Sequence, residues 1–427
     1  MRIATTSTTS NRVNETLDPC VVLMKQLIAK HQHLWTDEKI YSLAQGVVYW
    51  NPPQAVNDAM VTAINDPTTT LHSYAPDEGL PELVSAIKLK LRRENNLPSK
   101  GSSQDDIQVI VTPGANAAYM NCVLTLLSEN ELSVVFKPYY FNHVMAIQMT
   151  RGQEALLVGP IDDDGCPSMS WLKEQLEAKG KQIKMITITN PGNPTGVSLP
   201  TSKLQEIVDL CRDFGVFVVF DNTYEQFDHT GANTFETESG DGLTKAGFHC
   251  FSDEHVINIF SFSKGYAMAG YRVGYVVVNT CGEDGKNVYE QMVKVQDTIP
   301  ICTSRISQKA AMGALSEGRP WVERKVKTLD EGREAILDAL EPLEKTIGGS
   351  GAMYCMAKLP SGIDDMQLAE ELVEKYGIAI IPGKFCGLPG WIRVCYSNLP
   401  TKECKIAAGR LKKGLIDLCV RPTTRAS

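Results

Sequence analysis

The sequence predicts an α/β protein built on a mainly parallel sheet and joined to a smaller α+β region. Three observations predict it. Seven short β-rich runs recur between residues 106 and 278. Most are continuously apolar rather than alternating, as strands covered on both faces must be. Helix-compatible segments separate several of them, the rhythm of βαβ units. The runs are Asp106–Val111, Ser133–Phe136, Ala155–Val158, Lys184–Thr189, Val216–Phe220, Val256–Phe260 and Val273–Val278, with helical patterns at Ala115–Leu127 and Ser202–Phe214.

After Pro300 the pattern changes. A charged, helix-compatible stretch runs from 304 to 340, and the cluster Gly348, Gly349 and Gly351 interrupts the chain. Strand patterns follow at Ala352–Lys358, Ile378–Ile381 and Trp391–Tyr396, and helical patterns at Asp365–Tyr376 and Lys402–Leu418. A chain of 427 residues is long for one core. The expected division is a large domain at 51–300 and a smaller one made of 1–50 and 301–427, joined through the long helix near 304–340.

The net charge of −8 leaves no footprint for nucleic acid. The longest apolar runs are strand-sized, so no membrane-spanning helix is expected. None of the 12 cysteines forms a C-x-x-C pair, which argues against a metal site or a disulfide framework and for a reducing, cytoplasmic setting. The first fourteen residues are rich in Ser, Thr and Asn. They read as a frayed terminus, with a short organelle-targeting peptide as the alternative.

Four strand ends carry the chemistry. In Ser261-Phe-Ser263-Lys264-Gly-Tyr-Ala-Met-Ala-Gly-Tyr-Arg272, a lysine follows a buried strand among small residues. Such an amine can lose its proton and act as a nucleophile. Ser261 and Ser263 offer hydroxyls, and Arg272 offers a fork for a phosphate. A surface lysine beside an arginine is the plainer alternative. Asn190-Pro-Gly-Asn193-Pro-Thr-Gly196 is either a turn or an asparagine set at the mouth of the sheet. The strand Val216–Phe220 runs into Asp221-Asn-Thr-Tyr224, where Asp221 is either a helix N-cap or a buried acid awaiting a cationic partner. Pro113-Gly114-Ala115-Asn116 turns into a helix whose first N–H groups suit a phosphate.

In order and spacing these segments resemble the fold-type I aminotransferases of class I/II. Tyr74-Ala-Pro-Asp-Glu-Gly-Leu-Pro-Glu-Leu, Pro138-Tyr-Tyr140 and Trp391-Ile-Arg393-Val match as well, so the resemblance covers nearly the whole chain from Leu43 onward. It implies a pyridoxal 5′-phosphate (PLP) enzyme with Lys264 carrying the cofactor as a Schiff base. Asp221 would pair with the pyridine nitrogen, and Asn193 and Tyr224 would meet the phenolic oxygen. Gly114, Ala115, Asn116, Ser261, Ser263 and Arg272 would cradle the phosphate, and Tyr140 would stack on the ring. Arg393, with the backbone at Gly46, would grip the substrate α-carboxylate. Tyr74 would reach the phosphate of a neighbouring subunit, which implies a homodimer with shared sites. The substrates implied are an amino acid and a 2-oxo acid, exchanged by a ping-pong route.

Further segments, Ala44-Gln-Gly-Val-Val-Tyr-Trp-Asn-Pro-Pro and Val295-Gln-Asp-Thr-Ile-Pro-Ile-Cys-Thr among them, look like plant cytosolic aminotransferases that act on methionine and aromatic 2-oxo acids. Lys137 and Gly265 depart from the residues frequent in those relatives. Arg305 is a candidate to meet a distal carboxylate, against its reading as a solvated helix residue. Tyr49 and Trp50 either line an apolar side-chain pocket or belong to the core. A PLP lyase would use the same Lys264, Asp221 and Arg393, and dependence on an amino acceptor separates the two. A ligand sensor fused to a DNA-binding module would need an additional basic region, and the segment before the core is short and not basic.

Overall fold

The computed structural model describes residues 9–36, 38–68, 70–98, 103–238 and 244–420. The first eight residues, which hold most of the targeting reading, lie outside that set. All seven expected strands are present and form one sheet. They are β1 (Ile107–Thr112), β2 (Leu132–Phe136), β3 (Leu156–Gly159), β4 (Ile183–Thr189), β5 (Phe217–Asp221), β6 (Val256–Ser261) and β7 (Gly274–Asn279), in the spatial order β1-β7-β6-β5-β4-β2-β3. The pairs from β6 through to β3 are all parallel. Only β7 runs antiparallel, and it does so to both its neighbours.

The apolar runs are continuous because both faces are covered. Residues of one parity, among them Val135, Met185, Val219 and Ile257, pack under helices α1 (Ala115–Leu126) and α2 (Phe141–Arg151). Those of the other parity, Val134, Ile186, Val218 and Phe220 among them, pack under the opposite layer, which includes α3 (Thr201–Phe214). Fully burying one such side chain stabilises the fold by about 1.5–3 kcal/mol.

A second sheet has four strands, β8 (Lys345–Gly348), β9 (Tyr354–Lys358), β10 (Ile381–Pro382) and β11 (Trp391–Cys395), in the order β8-β9-β11-β10. Helices α4 (Arg305–Lys327) and α5 (Asp330–Leu340) precede it.

Three expectations need correction. The single helix over 304–340 is interrupted twice. Gly318 adopts φ 65° and ψ −174° inside α4, two residues before Pro320, and α4 itself ends at Lys327. Proline cannot donate to the preceding turn and its ring clashes there, so the break follows from the sequence. The strand expected at Ile378–Ile381 is two short strands. Ile378–Ala379 pairs with Tyr41–Ser42, whereas Ile381–Pro382 belongs to the second sheet. An antiparallel hairpin, Thr234–Glu238 with Thr244–Phe248, was not expected at all.

Sheet direction positions the site. Strands β4, β5 and β6 are parallel, so their carboxyl ends lie on one side. Because β7 is antiparallel to both β6 and β1, the carboxyl end of β1 and the start of β7 lie on that side too. Crevices at strand carboxyl ends are where open α/β sheets bind ligands.

Candidate active site

One cavity at those strand ends is lined by Ala115, Asn116, Tyr140, Asn193, Asp221, Thr223, Tyr224, Ser261, Ser263, Lys264, Ala269 and Arg272. Ten of these twelve were singled out by sequence; Thr223 and Ala269 were not.

Lys264 follows β6 and points its Nζ at the carbonyl oxygen of Gly46, 2.5 Å away. Burial, opposed in part by Cys395 and reinforced by Arg272 and Arg393, pulls its pKa down to about 8. An amine so placed is neutral in a usable fraction near neutrality and can attack a carbonyl.

Asp221, the last residue of β5, is buried. Burial alone would raise its pKa. His143 and the hydroxyl and N–H of Thr223 outweigh burial and hold the carboxyl below its usual range. His143 Nε2 lies 3.2 Å from one carboxylate oxygen, and Thr223 donates to the other from Oγ1 at 2.6 Å and from N at 3.1 Å. No helix follows, so the N-cap reading of Asp221 is wrong. His143 packs against Tyr119 at 4.1 Å between ring centroids, with the rings tilted by 33°, which holds it against the acid. Its only sequence signal was its place at the start of a helix, three residues beyond Tyr140.

The phosphate cradle is built by backbone shape. Gly114 has φ 86°, and a Cβ there would run into the guanidinium of Arg272. Only glycine therefore lets the chain turn into α1 so close to that cation. The N–H groups of Ala115 and Asn116 stand ahead of the first intrahelical bonds and are open to an anion. Arg272 adopts a left-handed conformation, φ 54° and ψ 60°, which costs a non-glycine residue about 1–2 kcal/mol. Its Nη1 donates to the carbonyl of Ala269 at 2.8 Å.

Arg393, on β11, is buried and does not itself line this cavity, which it meets through Asn193. Its Nη1 donates to Asn193 Oδ1 at 3.1 Å and its Nη2 to the carbonyl of Ala44 at 2.7 Å. Its Nε is buried without a partner among the described residues. A buried guanidinium with N–H capacity left over fits a carboxylate ligand.

Three sequence candidates fall elsewhere. Tyr74 is 75% exposed and is not among the residues that line this cavity. Arg305 is neither free nor in the cavity. Its guanidinium donates to the carbonyls of Ser73 and Tyr74 and to the hydroxyl of Thr70, at 2.7–3.1 Å. Trp50 is core. It is buried, lies parallel to Phe227 and donates from Nε1 to the carbonyl of Gly265 at 3.2 Å.

The comparison with known proteins decides the family. Residues 38–411 match the model of aminotransferase class I and II. The chain belongs to that family. It is 42% identical to the aromatic aminotransferase ISS1 of Arabidopsis thaliana, over 88% of this chain and 90% of that protein. It is 26% identical to an aspartate aminotransferase of Pyrococcus abyssi, over 88% and 92% of the two chains. Among solved structures, a single mutant of the aspartate aminotransferase of Thermus thermophilus superposes with a TM-score of 0.78 at 24% identity, covering 96% of this chain and 100% of that one. The aromatic aminotransferase of Pyrococcus horikoshii gives 0.75 at 25% identity, covering 91% and 99%.

The chain is thus an aminotransferase with the fold-type I architecture, taking amino acids and 2-oxo acids, and its class uses PLP. Its cavity suits that group. The free helix N-terminus and Arg272 match a phosphate, Asp221 matches a protonated ring nitrogen, and Lys264 matches an aldehyde. Among the described residues no helix is long and apolar enough to cross a membrane.

Proposed function

We propose that this aminotransferase moves the amino group of methionine or an aromatic amino acid to an aromatic 2-oxo acid of the phenylpyruvate or indole-3-pyruvate type, by a ping-pong route. The observation that carries the reading is that Arg305 is committed to the backbone of the Tyr74 loop. Arg272, which lines the cavity, and Arg393, bonded to its lining residue Asn193, are matched to phosphate and α-carboxylate, so among the described residues of this chain no further arginine lines the cavity to meet a second substrate acid. The relative at 42% identity is named an aromatic aminotransferase, which supports the same choice.

When bound, PLP supplies an electron sink for the carbanion formed at the substrate Cα. The chain's residues do the rest. Arg393 fixes the α-carboxylate with a planar fork, which aligns the Cα–H bond. Lys264, once free of the cofactor, would take the proton from the substrate Cα as base and deliver it as acid to the aldehyde-derived carbon of PLP. Asp221, held ionised by its lowered pKa, would keep a proton on the ring nitrogen. Asn193 and Tyr224 would donate to the phenolic oxygen, and Tyr140 would stack on the ring. Release of one 2-oxo acid before the next binds is what makes the kinetics ping-pong.

We further propose a cytoplasmic homodimer in which the exposed Tyr74 of each subunit completes the partner's phosphate site. Within each subunit, residues 51–300 would hold the cofactor, while 1–50 and 301–427 would close over the substrate.

A panel of donors against phenylpyruvate, indole-3-pyruvate and 2-oxoglutarate tests the specificity. Methionine or an aromatic donor with an aromatic acceptor is expected to give the highest kcat/KM. Strong activity confined to aspartate with 2-oxoglutarate would overturn it. Turnover without any acceptor would show a lyase instead.

A further inference from the structure

We propose that Tyr354 is a positioning residue for the reaction. Its hydroxyl sets the direction in which Tyr224 offers its proton, and its ring holds the plane of Arg393. The proposal rests on the aminotransferase reading above.

Tyr354 opens β9, and no motif near it in sequence marks it out. In the fold it closes a ring of four side chains. Its hydroxyl lies 2.8 Å from that of Tyr224. Asn193 Nδ2 donates to the Tyr224 hydroxyl at 3.2 Å. The Oδ1 of the same Asn193 accepts from Arg393 Nη1 at 3.1 Å. The Arg393 guanidinium then lies 4.6 Å from the centre of the Tyr354 ring. The Tyr224 and Tyr354 rings meet edge to face at 5.6 Å. At Gly46, whose carbonyl receives Lys264, a Cβ would run into the Tyr354 hydroxyl, so glycine there is what lets Tyr354 reach Tyr224.

A phenol donates one proton and accepts up to two. Tyr224 already accepts from Asn193. If Tyr354 donates as well, both lone pairs of Tyr224 are filled and its own proton is free to point into the cavity. In the reverse arrangement that proton is spent on Tyr354. An oxygen bearing negative charge is the stronger acceptor, so an anionic phenolic oxygen in the cavity selects the first arrangement. Burial raises the pKa of both phenols, so both protons are retained. The groups that face Tyr224 are Tyr354, Tyr140 and Asp221; those that face Lys264 are Cys395, Arg272, Arg393 and Asp221. Tyr354, like Asn193, touches both Tyr224 and Arg393, the residues assigned to the phenolic oxygen and the carboxylate.

The test is an absorbance titration of the PLP-loaded protein. A donor on the phenolic oxygen stabilises negative charge there and so favours loss of the proton shared with the Lys264 nitrogen. Weakening that donor raises the pH midpoint of the visible band. Tyr354→Phe is expected to raise the midpoint by about half a pH unit. It should leave KM for the amino acid unchanged, because the ring remains on Arg393. Tyr354→Leu, which loses the ring as well, is expected to raise KM about fivefold to tenfold. In a Tyr224→Phe background, Tyr354→Phe should move the midpoint no further, since it acts through Tyr224. A Tyr354→Phe midpoint superimposable on wild type overturns the proposal and leaves the aminotransferase reading intact. An equal shift in both backgrounds overturns it too. A wild-type protein that takes up no PLP removes the reading and the proposal together.

Discussion

Asp221 and Glu225 stand four residues apart, both are buried carboxylates, and they differ in what faces them. Glu225 is closed in. Lys90 Nζ reaches one of its oxygens at 2.5 Å and Asn95 Nδ2 the other at 2.5 Å, while Lys90 also donates to Asn95 at 2.6 Å and lies 4.6 Å from the centre of the Phe260 ring. Asp221 is held by His143 and Thr223 and still lines the cavity. Buried charge alone therefore does not mark a functional site. A charge held by protein partners yet lining a cavity does, and Arg393, with an unused Nε, is a buried cation bonded to the cavity-lining Asn193. The contrast assigns Glu225 to stability and Asp221 to chemistry.

The largest expected effect breaks the closed cluster. Glu225→Ala leaves the Lys90 ammonium buried without its counter-charge, and is expected to cost about 3–5 kcal/mol in denaturant unfolding. A loss under 1 kcal/mol would remove the structural assignment. Asp221→Ala should do the reverse. Turnover is expected to fall at least about a hundredfold, while the unfolding midpoint moves little. A near-native rate would remove Asp221 from the chemistry. Arg393→Lys keeps the charge but loses the fork, and kcat/KM is expected to fall about tenfold to a hundredfold.

The smallest effect concerns the lysine and sharpens the comparison from the side of stability. The pKa of Lys264 falls from 10.5 unfolded to about 8 folded. The unfolded chain therefore binds the proton more tightly, which costs the folded apoprotein stability. That cost is complete below pH 8 and gone above pH 10.5. Lys264→Met apoprotein is expected to be more stable than wild-type apoprotein by about 1–2 kcal/mol at pH 7, after discount for the solvent in the cleft. The advantage should shrink as pH rises through that window. An advantage that stays constant with pH would mean the amine is not held in the state described.

How much of this was legible in the sequence follows from the same physics. Strands covered on both faces write continuous apolar runs, and all seven were found to within a residue or two. The hairpin at 234–248 escaped because its strands, Thr-Phe-Glu-Thr-Glu and Thr-Lys-Ala-Gly-Phe, are polar enough to read as loop. The break at Gly318 and Pro320 was written in residues that disfavour helix, but the surrounding charged pattern was read across it. Of the site, the residues at strand ends were legible because each sits in a short motif next to its strand. His143 and Tyr354 were not. Tyr354 meets Tyr224 across 130 positions of chain, and only the fold brings them together. Arg305 was ambiguous in the sequence, and four hydrogen bonds to the Thr70–Tyr74 loop resolve it.

The central claim is that the amine of Lys264 and the acid of Asp221 share one cavity around an aromatic aldehyde. Loading the protein with PLP, reducing with borohydride and mapping the labelled peptide by mass tests it most directly. The account predicts one stable adduct, on Lys264, that disappears in Lys264→Ala. An adduct on any other lysine, or an undiminished visible band in Lys264→Ala, would contradict it.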